Sequence, residues 1–391
     1  MRPLRILIIL TYYLPHRTGL TLHAQRIGEE LVRRGHQVTV LSARFNPDLP
    51  ERETINGVHV VRLWAPIRVS RGMLMPSYPW HVMRQIREHD VVSINTPMLE
   101  SALTALIANW FNKPLVITHH GDLILPKGAA NRVIQAVVFG MYKLAARSAT
   151  RLVGYSHDYA DHSYYLAGYE AKTSIIYPPI LMPAPQPAEV ARLRAAWGVT
   201  NGYAIGFAGR FVEEKRPDVL IRALETVNQR LPGAKVVFAG EYEIKYEHFY
   251  ERTLPLVDQY KDQLIFLGLL RSEQEMANFY AACDVLALPS DTECLGFVQV
   301  EAMLCGTPVV VTDTPGAREA VTVTGMGKVV GMGNPEGLGE ALVEVMTHRE
   351  TYVKPRAEIE RAYSFPETVD RYEAVYRRAV ELRARREPPE R

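Results

Sequence analysis

Four short stretches of this chain carry residues whose types and spacing could do chemistry. In Gly209-Arg210-Phe211-Val212-Glu213-Glu214-Lys215, a glycine opens a turn and two basic residues stand five apart. Arginine offers a planar fork and lysine a point charge, so together they suit one anionic group such as a diphosphate. On charge alone they equally suit two solvated cations flanking a turn. In the stretch Asp291 to Glu301, two carboxylates, Glu293 and Glu301, bracket Gly296, Phe297 and Val298. A helix starting there would present N–H groups to an anion, and a carboxylate at either side accepts paired hydrogen bonds from hydroxyls. That combination fits a nucleotide sugar, ribose at one end and hexose at the other. Spacing alone carries nothing, because five of the glutamate pairs stand eight apart. Only 293/301 bridges a glycine-containing strand-to-helix loop.

The third stretch is His119-His120-Gly121-Asp122, at the end of the apolar run Leu115–Thr118. His120 could touch a reacting sugar and Asp122 an acceptor; a hydrogen-bonded loop histidine or a metal site are the alternatives. Adjacent histidines seldom chelate one metal, and no matching carboxylate–histidine cluster is visible. The fourth is the loop Pro15 to His23, where Gly19 precedes a helical pattern. It lacks the GxGxxG spacing, which argues against a nicotinamide-dependent dehydrogenase.

These stretches need elements to hold them. Ile6–Leu10, Val38–Leu41, Val58–Leu63, Val91–Asn95, Leu115–Thr118 and Arg151–Tyr155 read as strands, with helical patterns between several of them. That is the βαβ rhythm of a doubly wound parallel sheet. Five prolines in Tyr177–Pro187 make a stiff connector and a boundary. The rhythm then restarts, with strands at Tyr203–Ala208, Lys235–Ala239, Leu264–Leu267, Val285–Leu288 and Val309–Thr312. Helical patterns lie at Pro217–Arg230, Glu273–Ala282 and Val300–Leu304. The expected organisation is α/β: an N-terminal Rossmann-like domain over 1–178, a Pro-rich lead-in over 179–200 and a second Rossmann-like domain over 201–365. A last helical pattern runs from Pro366 into a charged tail.

Composition bounds the rest. With 391 residues, 47% hydrophobic and 23% charged, the chain is long enough for two or three globular domains. Three cysteines without a CxxC pair exclude a disulfide scaffold and a zinc ribbon, and a reducing cytosol is the simplest reading. The apolar start is too short for a spanning helix and lacks a small-residue cleavage site. Net charge is +2, unevenly spread: residues 1–180 hold 20 Lys and Arg against 12 Asp and Glu, net +8, and residues 181–391 hold 25 against 31, net −6. A basic N-terminal half leaves phosphate, a membrane surface and nucleic acid open as partners.

The combination resembles the GT-B-fold retaining glycosyltransferases of family GT4, over nearly the whole chain. The most specific stretch is PSDTECLGFVQVEAMLCGTPVVVTDTPG, Pro289 to Gly316; GRFVEEKRPD and RRGHQVTVL are similar to two further family stretches. The resemblance implies two Rossmann-like domains facing a cleft, closing around a donor, with the C-terminal helix, about 366–388, packing back on the first. It also implies roles. Arg210 and Lys215 would bind the donor diphosphate, and Glu293 the donor sugar. Gly296, Phe297 and Val298 would give N–H groups to sugar and phosphate, and Glu301 would bind the ribose. His120 would lie near the reacting face. Gly19, Gly209 and Leu269 complete the implied donor-binding set. The catalytic set is His120, Arg210, Lys215 and Glu293.

There are departures: Leu20 follows Gly19 where the family often has a second glycine, Cys294 and Leu295 replace a Gly-Phe pair, and Gly240-Glu241-Tyr242-Glu243 replaces Gly-x-Gly-Pro. No Asp-x-Asp motif occurs, in keeping with catalysis that needs no metal and no cofactor. The reaction implied is transfer of a hexose from a nucleotide sugar, a UDP-sugar before GDP-mannose, with retention. A sugar-phosphate synthase, a GT-B epimerase and a non-catalytic sugar-nucleotide-binding subunit are the other readings.

On the acceptor side, Arg62, Arg68 and Arg71 are interleaved with Trp64 and Trp80, a mixture suited to an anionic membrane interface or a lipid-linked glycan acceptor. The apolar helix pattern Asn131–Arg147 would contribute; a compact basic pocket would instead favour a sugar-phosphate acceptor. No nucleic-acid-binding motif is present. The expected location is the cytoplasm, with peripheral contact at the inner face of the cell membrane.

Overall fold

The computed structural model describes residues 2–69, 72–122, 129–244 and 247–385. The chain folds into two compact units, Met1–Pro179 with Pro366–Arg391, and Ile180–Phe365.

The first unit is built on strands β1 (Arg5–Ile9), β2 (Gln37–Arg44), β3 (Arg52–Ile55), β4 (Val58–Trp64), β5 (Ile67–Val69), β6 (Gly72–Leu74), β7 (Val91–Thr96), β8 (Leu115–His119), β9 (Arg151–Gly154) and β10 (Thr173–Ile175). Eight of them form one sheet in the order β10-β9-β8-β7-β1-β2-β4-β3; β5 and β6 pair separately. All pairs in the large sheet are parallel except β3 with β4. Central strands of this kind are covered on both faces, which is why Ile6, Leu7, Ile8 and Ile9 are all but inaccessible to solvent. Burying a side chain of this size contributes about 1.5–3 kcal/mol.

Helix α1 (Gly19–Arg33) starts at a capping box between Thr18 and Thr21; such a cap is worth about 1 kcal/mol. Helices α2 (Tyr78–Glu88), α3 (Ser101–Trp110) and α4 (Ala129–Ser148) follow. The C-terminal helix Phe365–Ala384 packs into the same unit: Tyr376 Oη donates to Ser93 Oγ at 3.0 Å, and Arg34 pairs with Asp370 at 2.5 Å.

The second unit carries β11 (Ala204–Ala208), β12 (Lys235–Ala239), β13 (Leu264–Gly268), β14 (Val285–Leu288), β15 (Val309–Thr312) and β16 (Gly327–Val330). Their order is β13-β12-β11-β14-β15-β16, all parallel. This is the doubly wound order that reverses direction between its first and fourth strands, here β11 and β14. Its helices include α5 (Pro217–Arg230), α6 (Glu273–Ala282) and α7 (Phe297–Leu304). Within the Pro-rich lead-in, Pro187–Ala196 is helical, with Pro187 in the first turn where its missing N–H costs nothing. The short strands β3, β10 and β16 carry too little periodicity to stand out in the sequence.

Candidate active site

Ligands of open α/β sheets sit beyond the carboxyl ends of the strands, at the point where strand order reverses. In the second unit that point is flanked by the loop after β11 and the loop after β14. The structure brings these two loops together. Lys215 Nζ and Glu293 Oε1 form an ion pair with the carboxylate almost buried. Asp291 N donates to Glu214 O at 2.9 Å. Arg216 bridges Asp218 at 3.0 Å and Asp291 at 3.3 Å. The hydrogen bonds that Arg216 donates to Asp218 are the main reason its guanidinium pKa lies above its usual range. Arg210 contacts Glu214 at 3.4 Å and keeps a partly exposed side chain. Of the two sequence-predicted cations, Lys215 thus lies against the carboxylate that the family resemblance gives to the sugar.

The turn into α7 depends on glycine. Gly296 has φ +71°, and a Cβ there would lie 2.8 Å from Leu288 Cδ2. Gly316 (φ +83°) passes so close that a Cβ would lie 2.6 Å from Glu293 O. Phe297 and Val298 then open α7, whose N-cap Gly296 supplies no side-chain cap. Glu301, one turn on, accepts from Tyr280 Oη at 2.8 Å. Burial, with the Glu301 charge beside it, raises the Tyr280 hydroxyl well above its ordinary value, so it stays a donor. Gly209 follows β11, and Leu269 follows β13 with an exposed side chain.

Sequence reasoning did not single out Tyr280, Ser290, Asp291 or Gln299. Gln299 is fully buried and donates to Leu295 O and to Ala317 O, pinning the loop ahead of α7. Burial pushes the Cys294 thiol up to about 12, with Glu293 adding to it, so it is no thiolate nucleophile at neutral pH.

In the first unit, Gly19 opens α1. His120 sits in a chain of polar groups. Its Nε2 faces Asn95 Oδ1 at 2.8 Å, its Nδ1 lies 2.6 Å from Tyr155 Oη, and Tyr155 Oη lies 3.1 Å from His23 Nδ1. With Asn95 Oδ1 accepting, one proton arrangement satisfies the chain: His120 Nε2–H donates to Asn95, Tyr155 donates to His120 Nδ1, and His23 Nδ1–H donates to Tyr155. Burial lowers the His120 pKa well below its ordinary value and that of His23 to about 3, so both rings are neutral. Both ring nitrogens of His120 are therefore engaged inside this unit.

The Asp122 carboxylate is held within the first unit, accepting from His119 Nε2 at 3.1 Å, Ser163 Oγ at 3.0 Å and Tyr164 N at 3.0 Å. Burial opposes ionisation, but these donors hold it below its usual value. One expectation is corrected: Arg62 is no membrane contact. It is buried in β4, donating to Leu14 O at 2.8 Å and Pro50 O at 3.1 Å and pairing with Glu53 at 2.5 Å. Arg68, Trp64 and Trp80 are exposed; Arg71 lies outside the described residues.

A cavity of about 430 Å³ opens at the carboxyl ends of β1, β2 and β4, with Tyr12, His16, Phe45 and Trp64 among its walls and Arg44 and Arg68 at its lining. Tyr12 and His16 stack there at 4.7 Å. Among the described residues no cluster of His, Cys, Asp and Glu could hold a metal ion, and no helix is long and apolar enough to cross a membrane.

Residues 191–362 match the glycosyl transferases group 1 family, and residues 18–179 match the glycosyl transferase 4-like domain. An uncharacterized glycosyltransferase of Methanocaldococcus jannaschii is 26% identical over 388 residues, covering 94% of this chain and 96% of that protein. A D-inositol 3-phosphate glycosyltransferase of Segniliparus rotundus is 26% identical over 387 residues, 93% of this chain and 85% of that protein. Among solved structures, sucrose-phosphate synthase from Thermosynechococcus elongatus superposes with a TM-score of 0.79 at 17% identity, covering 97% of this chain and 100% of that one. Anabaena HepE in complex with UDP and glucose gives 0.73 at 20% identity, with 98% and 100% covered. At such identity the structural likeness speaks to the fold. Taken with the two family matches, it makes this chain a member of the group 1 glycosyltransferases, with the GT-B fold.

Proposed function

We propose that this chain transfers a hexosyl group from a UDP-sugar to an acceptor hydroxyl, with retention of configuration and without a metal. The observation that carries the reading is the joining of the loops after β11 and β14, where Arg210, Lys215, Glu293, the start of α7 and Glu301 cluster at one sheet edge. In this reading Arg210, Lys215 and the α7 start hold the diphosphate. Glu293 binds sugar hydroxyls and Glu301 the ribose, while Gly209 and Leu269 border the donor. The bond from the anomeric carbon to the diphosphate oxygen breaks, and a bond from that carbon to the acceptor oxygen forms on the same face. The acceptor proton passes to the departing phosphate oxygen. Positive charge fixed at the leaving group is the largest contribution to rate. UDP is favoured because Anabaena HepE, of the same fold, is seen with UDP-glucose.

The acceptor belongs to the first unit, whose cavity at the ends of β1, β2 and β4 is of the size that holds small ligands. A lipid or lipid-linked glycan is the acceptor we favour. The two arginines and the aromatic walls of that cavity also support a second reading, a free sugar phosphate, which the D-inositol 3-phosphate glycosyltransferase relatives make worth testing.

The test is a panel of UDP-glucose, UDP-galactose, UDP-N-acetylglucosamine, GDP-mannose and ADP-glucose, assayed for binding and hydrolysis. It is run in EDTA, with and without anionic vesicles containing diacylglycerol, and with inositol phosphate. Selective UDP-sugar turnover with an α-linked product from an α-linked donor supports the reading. Failure of every nucleotide sugar to bind overturns it.

A further inference from the structure

We infer that the outer face of helices α2, α3 and α4 is a docking surface for an anionic membrane. From β4 through α2 to β7, α3 to β8 and α4 to β9, the chain steps across the sheet in one direction, opposite to the step β1–α1–β2. Right-handed crossovers place α2, α3 and α4 together on the face away from α1. The packing of α2 against α3 and of α3 against α4 agrees.

Their inward faces are buried as a core requires: Val82 and Ile86, Ala105 and Ala108, Ala145 and Ala146. The outward faces of α3 and α4 are largely apolar as well, and α2 adds Trp80 beside Arg84 and Arg87. Trp80 is 73% exposed on α2, Leu106 51% and Trp110 80% on α3, Val133 65%, Val137 58% and Leu144 41% on α4. Single exposed apolar residues need no explanation, but a layer of them across three neighbouring helices does.

Charge decides what covers the layer. The three helices carry Arg84, Arg87, Arg132, Lys143 and Arg147 against one acid, Glu88. Arg87 already sits over the Phe111 ring at 5.4 Å. A second copy of this chain docked through the same face would set arginine against arginine. Tryptophan and aliphatic side chains ringed by basic residues suit a leaflet with anionic headgroups, where indoles lie at the interface. The surface shares Trp80 and the Asn131–Arg147 helix with the membrane reading made from sequence, adds α3, and leaves out Arg62, which is buried. This inference deepens the lipid-acceptor part of the proposed function but stands apart from the transfer chemistry.

The experiment is co-sedimentation of the full chain with phosphatidylcholine vesicles and with vesicles enriched in phosphatidylglycerol, alongside tryptophan emission. Three of the four tryptophans, Trp64, Trp80 and Trp110, are exposed, and Trp197 is buried. Wild type is expected to partition to the anionic vesicles only, with a blue shift, and to leave them as salt rises. The double variant Trp80→Ser/Trp110→Ser and the variant Arg132→Glu/Arg147→Glu each weaken partition by roughly tenfold. Because all four side chains lie on the surface, UDP-sugar binding is expected to be unchanged in both. Wild type that ignores anionic vesicles, or variants that bind them as wild type does, overturns the inference. So does a dimer or a tight protein complex lost in the same variants. UDP-sugar binding measured on the same samples separates failure of this surface from failure of the transferase reading.

Discussion

Removing one hydroxyl from the second unit tests the proposed role of Glu301 in holding a donor ribose. Tyr280 lies on α6, fully buried, and donates to Glu301 Oε2 at 2.8 Å. Its ring is fully buried, 5.4 Å from the Phe279 ring, and its backbone carbonyl accepts from Thr307 Oγ1 at 2.7 Å, so packing holds the ring independently of Glu301. In Tyr280→Phe the ring keeps its place and the carboxylate loses a charge-assisted hydrogen bond. Such a bond contributes about 1.5–3 kcal/mol. Part of that loss falls on stability. The part that lets Glu301 swing away falls on ribose binding, and about 1.4 kcal/mol there is tenfold in affinity. The assay is calorimetric titration of UDP and 2′-deoxy-UDP into wild type and Tyr280→Phe. Wild type should favour UDP, and the variant should lose roughly tenfold for UDP but little for the deoxy compound. A variant that merely unfolds more easily would keep the ratio between the two ligands. An unchanged ratio refutes the reasoning that Tyr280 positions Glu301 for the ribose.

Further outcomes follow from the same geometry. Arg210→Ala should lower kcat by about a hundredfold or more with little change in melting temperature, since its pair with Glu214 is partly exposed; EDTA should change neither protein, and a wild type silenced by EDTA would contradict the metal-free reading. His23 is held neutral, its pKa lowered to about 3, by burial and then by Arg26. The unfolded chain takes up a proton on this ring below about pH 6.5 and the folded chain does not until about pH 3. Its contribution is therefore complete above about pH 6.5 and declines by at most about 1.4 kcal/mol per unit as pH falls towards 3. Melting curves across that window should fall more steeply for wild type than for His23→Gln, and parallel curves would show that His23 is not the group responsible.

Much of the candidate site in the second unit was legible because its signals are local. Gly209 after the apolar run Tyr203–Ala208, and Gly296 ahead of an apolar helical stretch, mark strand-to-helix connections, and the structure gives both a positive φ there. The pairing of Lys215 with Glu293 was not legible. The two stand 78 residues apart and meet only because β14 lies beside β11. Tyr280 was hidden for the same reason: on α6 it reads as one more core aromatic, and only the packing of α6 beside α7 aims it at Glu301.

Arg62 was misread because an arginine among aromatics looks exposed; β4 is flanked by β2 and β3, and the guanidinium turns to Leu14 O. On the first unit's surface, α3 reads as core along its whole length because it carries no charge. Its second apolar face, with Leu106 and Trp110, becomes evident only once the sheet shows which side is inside. Of the sequence-predicted histidine pair, neither ring could be assigned from spacing, since their partners Asn95, Tyr155 and Thr96 come from other strands and loops.

The most direct test of the central claim is titration of UDP-glucose, in EDTA, into wild type and into Glu301→Ala. The joined loops of the second unit lead us to expect saturable binding by wild type, weakened at least tenfold in Glu301→Ala. Equal binding by both proteins would move the donor away from these loops, and no binding by wild type to UDP-glucose or any other nucleotide sugar would contradict the transferase reading itself.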